Sequence, residues 1–524
     1  MYIWTDDMEL SGLNHSGDGL SLKDTFNGVV ITGEKGCGKT TGSAAHIHAG
    51  FLAIGAGGYA PCPKRTDFRD YMRLIRAFGR EADVIPMRPS ENWQDRPVNA
   101  INVLKAEQAL FGRGSANASN VTALLMKVSD LIQRQGGQGA TNEAFWREYA
   151  KKVIHAGLTA QSIVSNNFDL KLLLKFVNEL PNTLAEIEER SLYSVALMQE
   201  AKAKLGESVP YDFTLVYDFV MREWPLSPPN ARASGALTVQ VMLSSLLSHP
   251  LRQMLFEETT FDLDRVLNNG GILLLDMCID DYAQAGMAGM ILKDLISRAC
   301  QVRPQLGTLD PQFIQPVYLL VDEYPEYAIE ADEKHARMAR SARLAPIFIT
   351  QSTTSLKAQF QDKDKAQAIL DLAGCRFAHQ NGSFETNEWM AKTIGQVIVQ
   401  RRGRQKGRNW DYGPDAKLGR NDGENINEQV DYDCPPRSFT RLLRGGLEHK
   451  LKTEAIFWRS GEKFKWNGRR WLPCVFPQDF RPGRDEVRIT AKRRGGDNHA
   501  SQDKSVVAYP ASQNRWDRLR SLLQ

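Results

Sequence analysis

The chain has 524 residues, of which 42% are hydrophobic and 24% are charged. This composition excludes a disordered or fibrous chain, and the length predicts two or three domains. The longest apolar runs, residues 271–275 and 316–321, are far shorter than the ~20 residues that cross a bilayer. The acidic N-terminal segment lacks the positive charge of a signal peptide, and the seven cysteines form no Cys-x-x-Cys pair. We therefore expect a cytoplasmic protein without a disulfide framework or a zinc site.

Charge is distributed unevenly along the chain. Residues 401–524 contain 27 lysines and arginines against 16 acidic residues, a net charge of +11. The first 400 residues carry 39 against 46, a net charge of −7. A basic C-terminal quarter indicates a polyanionic partner such as nucleic acid, and a solvated basic tail is the alternative interpretation.

The N-terminal part alternates short apolar runs with helical periodicity. Residues 28–32 form a β-branched run that predicts a buried strand, and residues 40–54 are periodic enough for a helix. A second strand is expected near residues 58–63, followed by an amphipathic helix at residues 68–79. This alternation is typical of an α/β protein.

The pattern changes at about residue 105, where long helical segments replace the strands. These segments predict an all-α insertion that extends to residue 230. Beyond it, apolar runs at residues 272–276, 317–321 and 346–350 predict three more strands, which favours a parallel sheet with helices on both faces.

Four segments follow from this pattern. Residues 1–104 and 231–480 form the two parts of a nucleotide-binding core, residues 105–230 the all-α insertion, and residues 481–524 a basic tail. The Gly-, Asn- and Arg-rich stretch at residues 401–433 is predicted to be a loop, and the tail is predicted to end in a short helix at residues 516–523.

A phosphate-binding loop is the strongest motif in the sequence. The residues between the first strand and the first helix match G-x-x-x-x-G-K-[ST] and are Gly33, Glu34, Lys35, Gly36, Cys37, Gly38, Lys39 and Thr40, with Thr41 next. In such a loop the backbone N–H groups and the helix N-terminus face the phosphates. Lys39 is expected to reach the β- and γ-phosphates and Thr40 to ligate Mg²⁺. The motif predicts ATP and Mg²⁺ as ligands. Together with the strand and helix pattern, it predicts an α/β P-loop NTPase core with a mainly parallel sheet and an inserted all-α domain.

A second acidic motif supplies the carboxylates that a P-loop enzyme needs. The apolar run at residues 317–321 ends in Asp322 and Glu323. Asp322 is expected to contact Mg²⁺, and Glu323 to activate the attacking water. The adjacent pair favours ATP hydrolysis over mere binding.

Two further features favour a ring-shaped motor over a metabolic kinase. Gln351 follows the strand at residues 346–350, where a residue that senses the γ-phosphate can lie. Arg337, Arg340 and Arg343 are spaced three apart before that strand, which predicts one face of a helix. An arginine presented to a neighbouring subunit's nucleotide can stabilise transition-state charge.

These residues resemble the type IV coupling proteins of conjugation and secretion systems, within the wider FtsK/HerA group of hexameric DNA-pumping ATPases. The resemblance covers about residues 25–480 and rests on the P-loop with its flanks, the arginine-bearing segment and the strand that ends in Gln351 and Ser352. Softer similarities are the Lys-containing turn at residues 64–67, the Asn-containing segment at 99–104, the aromatic cluster at 144–147 and the closing segment at 435–446.

The resemblance implies a RecA-like P-loop NTPase core and a homo-hexameric ring that uses ATP to move DNA through its pore. Because phosphate contacts carry no sequence information, we expect little sequence specificity for DNA. Carried over by position, Arg340 is the arginine finger and Gln351 the γ-phosphate sensor. Arg343 stands where the family commonly has glycine. Relaxosome or secretion-system components are implied as partners through the all-α domain. Membrane-anchored relatives have N-terminal transmembrane helices that this sequence lacks, so the expected location is the bacterial cytoplasm, or the inner-membrane periphery through a partner.

Two other functions are compatible with the residues. A HerA-like motor in DNA processing or phage defence shares the ATPase site and differs in its partner. A nucleotide-gated adaptor recruits a DNA-processing complex and hydrolyses ATP only as a slow switch. The basic cluster at residues 401–408 is compatible with DNA binding or with a solvated loop.

Overall fold

A computed structural model gives the fold and describes residues 3–13, 18–111, 115–136, 143–360, 363–409 and 419–478. Within these ranges, no helix is both long and apolar enough to cross a membrane. The predicted helix at residues 516–523 and the basic tail lie outside the described residues.

The strands of the described residues are short, apart from two that form a long hairpin. They are β1 (Glu9–Ser11), β2 (Leu20–Ser21), β3 (Val29–Thr32), β4 (Gly57–Pro61), β5 (Val84–Met87), β6 (Ile272–Leu275), β7 (Val317–Val321), β8 (Leu344–Thr350), β9 (Cys375–His379), β10 (Gln396–Asn409), β11 (Gly419–Tyr432), β12 (Lys452–Arg459) and β13 (Trp471–Pro477).

The helices surround the strands and fill the region between β5 and β6. They are α1 (Leu22–Phe26), α2 (Ala45–Ala53), α3 (Asp67–Ala77), α4 (Val103–Phe111), α5 (Ser115–Gly136), α6 (Glu143–Ser165), α7 (Leu170–Asn178), α8 (Leu184–Glu189), α9 (Tyr193–Leu205), α10 (Tyr211–Asp218), α11 (Trp224–Leu226), α12 (Pro229–Leu247), α13 (Asp264–Asn268), α14 (Ala285–Gln301), α15 (Ala331–Met338), α16 (Thr353–Phe360), α17 (Lys363–Asp371), α18 (Phe384–Ile394) and α19 (Arg437–Thr440).

The centre of the molecule is a nine-stranded sheet with the order β13-β12-β9-β3-β8-β7-β4-β6-β5. The seven strands from β9 to β5 are parallel, and β12 and β13 extend the sheet antiparallel at the β9 edge. Every residue of β3, β6, β7 and β8 is buried, because helices cover both faces of the sheet. Ile31 belongs to the apolar cluster with Phe51 of α2, whereas its neighbour Val30 belongs to the opposite cluster with Leu292 of α14.

The helical region between β5 and β6 packs as a layer of its own. Helix α6 contacts α5, α7, α9 and α12, and α12 also contacts α7. Because α12 begins at Pro229 and joins this layer, the helical region continues past residue 230, whereas α13 already packs against β4 of the sheet.

Buried ion pairs tie the helical region to the sheet through α14. Lys127 of α5 donates to Asp294 of α14 at 2.8 Å, and Glu107 of α4 pairs with Arg298 of α14. Asp294 and Glu107 are fully buried, so each of these carboxylates depends on its cationic partner.

The segment at residues 401–433, predicted to be a loop, is instead mostly part of an antiparallel hairpin. β10 and β11 pair over 14 residues each, with Ile398 opposite Val430. The prediction was wrong because strand formation here depends on cross-strand pairing, which composition does not reveal. The residues that connect the two strands, 410–418, lie outside the described ranges.

Candidate nucleotide-binding site

The P-loop begins where β3 ends, and glycines allow its tight curl. Gly36 and Gly38 have φ angles of 76° and 88°, in the left-handed region that side chains rarely adopt. A Cβ on Gly33 would lie 2.5 Å from Sγ of Cys37, so only glycine fits at that position. The loop continues into a π-helical turn at Thr40–Ala44 and then into α2, as the strand–loop–helix motif predicts.

Residues of the loop differ in their exposure. Lys39 is buried at the start of the helical turn, whereas Glu34 and Lys35 are exposed to solvent. Cys37 is buried, and burial raises the pKa of its thiol. Cys37 is therefore a packing residue of the loop and not a reactive thiolate.

A buried hydrogen-bond chain supports the P-loop from the neighbouring strands. Thr453 on β12 donates from Oγ1 to the carbonyl of Cys37 at 2.6 Å. Nε2 of His379, at the end of β9, lies 2.7 Å from Oγ of Ser43, and its Nδ1 lies 3.3 Å from Oγ1 of Thr453. Burial, reinforced by the charge of Lys39, lowers the pKa of His379 to about 3, so the ring is neutral. Sequence analysis missed His379 and Thr453 because no local motif marks them.

Thr40 and Asp322 meet although 282 residues separate them. Oγ1 of Thr40 donates to Oδ2 of Asp322 at 2.9 Å. The contact arises because β7, which carries Asp322 at its carboxyl end, lies two strands from β3 in the parallel sheet. Asp322 is fully buried, so the pair presents two oxygen atoms at a protected position beside the loop.

Glu323 is held by the next strand. Its φ of 48° places it in the left-handed region at the end of β7. Nε2 of Gln351, which follows β8, donates to Oε2 of Glu323 at 3.2 Å. Asn381 in turn donates from Nδ2 to the carbonyl of Gln351 at 2.9 Å. The predicted pair Glu323 and Gln351 is thus in contact, and Asn381 is an additional residue that orients it.

Lys64 is the main site residue that sequence analysis did not select. Its Nζ lies 3.0 Å from Oδ2 of Asp322 and 3.1 Å from Oε1 of Glu323. Partial burial disfavours the ammonium, but the two carboxylates outweigh it and raise the pKa of Lys64. The sequence did contain a hint, because Lys64 belongs to the turn after the second strand that resembles a family segment.

Asp67 fixes the backbone of the same turn. It accepts a hydrogen bond from the amide of Lys64 at 3.0 Å, and burial raises the pKa of Asp67 to about 6. Asp67 therefore holds the backbone of Lys64 in the turn between β4 and α3, while Asp322 and Glu323 hold its side chain.

The three predicted arginines do not share one helix face. α15 ends at Met338, and the chain then turns towards β8 with Arg343 at φ 53°. Arg343 is 3% exposed and donates to Oδ1 of Asp6 and to the carbonyl of Trp4, each at 2.6 Å. The prediction of a common face was wrong because spacing describes a face only while the helix continues. Arg343 instead anchors the N-terminal segment.

Arg337 and Arg340 lie at the edge of the sheet where the parallel strands begin. The P-loop lies at the opposite edge, where these strands end. Both line a cleft of about 1210 Å³ together with Asn27 and Gly374, which lie just before β3 and β9. Arg337 pairs with Glu333 one helical turn earlier. Arg340 is exposed and forms no ion pair with any residue within the described ranges.

Two segments close over the P-loop from the other side, one directly after β13 and one before β12. Nε2 of Gln478 donates to Oγ1 of Thr41 at 2.7 Å. Arg444 donates from Nη2 to the carbonyl of Lys35 at 3.2 Å and to Oε2 of Glu34 at 3.4 Å. These contacts join residues more than 400 positions apart, and no sequence motif indicates them.

The donors present fit a magnesium nucleotide. Mg²⁺ binds oxygen ligands and keeps few protein contacts, and Thr40 and Asp322 supply a hydroxyl and a carboxylate 2.9 Å apart. The ammonium of Lys64 already occupies a cation position between the carboxylates of Asp322 and Glu323. The open curl at Gly36, where a Cβ would meet nothing within 4 Å, leaves the loop backbone accessible to phosphate.

Comparisons with known proteins match this architecture. A family model described as the TraM recognition site of TraD and TraG matches residues 316–430. The bacterial conjugative coupling protein TrwBdeltaN70, in an unbound monoclinic form, is similar with a TM-score of 0.55 and 15% identity, covering 89% of this chain and 88% of that chain. No curated protein matches the chain significantly by sequence.

Nucleotide complexes of the plasmid coupling protein TrwB are similar to the same degree. The complex with the non-hydrolysable GTP analogue GDPNP has a TM-score of 0.56 at 15% identity, covering 90% of this chain and 94% of that chain. The complex with ADP and Mg²⁺ has a TM-score of 0.55 at 14% identity, covering 90% and 93%. These likenesses confirm the predicted fold class and the resemblance to type IV coupling proteins.

Proposed function

We propose that this chain is an ATP-driven coupling ATPase that forms a ring and moves DNA in conjugative transfer or type IV secretion. The observation that carries the proposal is the convergence of Thr40, Asp322, Glu323 and Gln351 beside the P-loop. The adjacent carboxylates of Asp322 and Glu323, with Gln351 hydrogen-bonded to Glu323, favour ATP hydrolysis over nucleotide binding without turnover.

ATP binds along the P-loop in this proposal. The backbone of residues 33–41 and the N-terminus of the following helical turn bind the phosphates, and Lys39 adds a positive charge at the β- and γ-phosphates. Thr40 and Asp322 would hold Mg²⁺, which would neutralise phosphate charge. Lys64 contacts both Asp322 and Glu323 beside that position.

Hydrolysis depends on Glu323. Its carboxylate accepts a proton from the water that attacks the γ-phosphate, so the water becomes a better nucleophile as the bond to the leaving oxygen breaks. Gln351 orients that carboxylate and lies where it can respond to loss of the γ-phosphate. Asn381 keeps Gln351 in place through its backbone carbonyl.

Arg340 completes the site of a neighbouring subunit. It is exposed at the edge of the sheet opposite the P-loop, so it cannot serve the nucleotide of its own chain. A head-to-tail arrangement brings this edge against the next subunit's nucleotide, as a closed hexameric ring requires. The burial of Arg343 against Asp6 supports Arg340 over Arg343 for this role.

The partners follow from charge and similarity. The basic C-terminal quarter supports DNA as the polyanion, bound through phosphates and therefore with little sequence preference. TrwB is described as a conjugative coupling protein, and the matching family model as a TraM recognition site. We propose relaxosome or secretion-system components as partners, with the chain in the cytoplasm or at the inner-membrane periphery through a partner. The family match lies at residues 316–430, outside the all-α region to which the sequence analysis assigned these partners.

The proposal is tested by steady-state ATP hydrolysis with and without DNA. We expect DNA to stimulate turnover and Lys39→Ala to abolish it, while Lys151→Ala, on the helical region, leaves the stimulation unchanged. Turnover that ignores DNA would contradict a motor and favour the nucleotide-gated adaptor.

A further inference from the structure

The β10–β11 hairpin, called the arm here, is a lone ribbon. It pairs with no other strand of the described residues, and each strand is 14 residues long, or about 45 Å at ~3.3 Å per residue. A two-stranded sheet of this kind is marginally stable alone in water, and both of its edges offer unpaired backbone groups to another chain.

The base of the arm exposes branched apolar side chains on both of its faces. Ile398 and Val430 pair across the strands and are 69% and 59% exposed. Val397 and Val399 alternate with Ile398 along β10, so they lie on the opposite face, and they too are partly exposed. Contiguous exposed apolar surface of this kind indicates a contact with another molecule.

The arm starts at the edge of the sheet that carries Arg340. Asp433 directly follows β11, and its Oδ1 lies 3.4 Å from Nη1 of Arg469. Arg469 lies two residues before Trp471, which pairs with Trp458 between β13 and β12. Trp458 lines the same cleft as Arg340. The arm is therefore continuous with the edge that our proposed function assigns to the neighbouring subunit.

The opposite, nucleotide-binding edge exposes its own apolar side chains. Phe384 is 73% exposed at the start of α18, three residues after Asn381. Leu447 is 84% exposed and follows Gly446, whose amide donates to Gln478 beside the P-loop. The chain thus has one apolar surface at each edge of its sheet, as a head-to-tail contact requires.

We propose that the arm of each chain docks on the nucleotide-binding edge of a second copy of the same chain, bringing Ile398 and Val430 against Phe384 and Leu447 of that copy. The proposal rests on the ring of the proposed function and adds the surface that holds neighbours together. DNA is a poorer occupant for the base of the arm, because its apolar side chains offer nothing to phosphate. In addition, Arg401 there is already paired with Asp431.

Cysteine cross-linking tests the contact directly. All seven native cysteines within the described ranges are buried, so an introduced surface cysteine reacts selectively. Chains with Ile398→Cys are mixed with chains carrying Phe384→Cys in the presence of ADP, Mg²⁺ and DNA, and treated with a short bis-maleimide. We expect a cross-linked dimer from the mixture, and none when Leu237→Cys, on the helical region, replaces Ile398→Cys. Equal yields from both mixtures overturn the proposal.

Assembly gives a second measurement that does not depend on cross-linker geometry. Ile398→Lys with Val430→Glu changes only exposed side chains and places opposite charges directly across the two strands, so the arm, the fold and the binding of nucleotide by a single chain are retained. We expect the protein concentration needed for assembly, measured by sedimentation, to rise tenfold or more, whereas Leu237→Asp leaves it unchanged.

The outcomes separate the two proposals. A wild-type chain that stays monomeric with nucleotide and DNA contradicts the ring itself, and the arm contact with it. Wild-type assembly that the double substitution does not weaken overturns the arm contact alone. Loss of DNA affinity at unchanged mass overturns it as well and assigns the arm to DNA.

Discussion

The ammonium of Lys64 lies 3.0 Å from Oδ2 of Asp322, the same oxygen that accepts the hydroxyl hydrogen of Thr40. Asp322 is fully buried, so its negative charge needs a positive neighbour. In the proposed function that neighbour is Mg²⁺ when nucleotide is bound. Lys64 and the metal therefore share one carboxylate, and the turn that carries Lys64 is coupled to the occupancy of the site.

This sharing predicts the effect of Lys64→Met. Without nucleotide, the free energy of unfolding should fall by about 1 kcal/mol, a modest amount because the ammonium is half-exposed and screened by water. ADP with Mg²⁺ should then raise the melting temperature more in the variant than in the wild type. Thermal unfolding with ADP and either Mg²⁺ or EDTA measures both effects.

The control for this experiment is Arg65→Met. Arg65 is the next residue in the same turn, but it pairs with Asp281 at the surface and not with Asp322. The variant should show the wild-type increment with Mg²⁺. An equal increment in Lys64→Met would contradict the sharing of Asp322.

Substitutions of Glu323 and Gln351 should slow the chemical step of ATP hydrolysis while leaving nucleotide binding unchanged. Glu323→Gln keeps the shape of the side chain but removes the base, so kcat should fall by ~10²–10⁴-fold while nucleotide affinity is retained. Gln351→Ala should lower kcat less, by about tenfold, because it only orients the carboxylate. Glu148→Gln, on the helical region, should leave both values unchanged. A matching loss of affinity in Glu323→Gln would speak against its role as the base.

Substitution of Arg340 should affect ATP turnover, whereas substitution of Arg343 should affect stability. Arg340→Ala should lower ATP turnover by ~10³-fold without changing the melting temperature, because the side chain is exposed and acts on a neighbouring subunit. Arg343→Ala should lower the melting temperature, because it removes the buried partner of Asp6 and the cation over the ring of Phe26.

Mixing subunits tests the action of Arg340 on a neighbour. An Arg340→Ala chain has an intact Glu323, and a Glu323→Gln chain has an intact Arg340. Mixed rings should regain part of the turnover that each variant lacks alone. A mixture that is as inactive as its components would refute action between subunits.

His379 predicts a pH dependence of stability. Its pKa is about 3 in the fold, whereas an imidazole in the unfolded chain titrates near 6.5. Between these values the unfolded chain binds a proton that the folded chain does not, so stability is full above about pH 6.5 and is lost as the pH falls. His379→Asn should shrink the loss between about pH 7.5 and 5.5 by on the order of 1 kcal/mol.

Urea unfolding at the two pH values measures this difference. His48 is also buried, with a pKa lowered to about 3, so part of the pH dependence should persist in the variant. An unchanged slope in His379→Asn would show that the ring is not buried in its neutral form.

Lys293 and Asp332 form a buried ion pair, in which each charge is stabilised by the other. Asp332 also accepts hydrogen bonds from the hydroxyl of Tyr324 at 2.7 Å and the amide of Ile329 at 3.0 Å. Lys293→Met leaves the carboxylate buried without its cation and should cost about 3–5 kcal/mol of stability. Adding Asp332→Asn should recover much of that loss in denaturant unfolding. A double variant less stable than Lys293→Met would contradict this explanation.

Several features of the fold and site were predictable because they depend on neighbours in the chain. The P-loop from Gly33 to Thr40 needs glycines at fixed spacing for its curl, and the buried parallel strands need continuous apolar runs. Asp322 and Glu323 follow directly from their place at the end of such a run. These local requirements also carried the resemblance to coupling proteins.

Other features depended on the packing of segments far apart in the chain. Lys64 reaches Asp322, and Thr453 reaches the P-loop, only because the strand order places β4 and β12 where it does. The burial of Arg343 likewise depends on a contact with the distant residue Asp6, whereas the arm depends on pairing between its own two strands. The spacing of residues along the chain determines which backbone conformations are allowed. Distances between side chains on different strands are set by the order and pairing of the strands in the sheet. These distances determined the remaining contacts of the site.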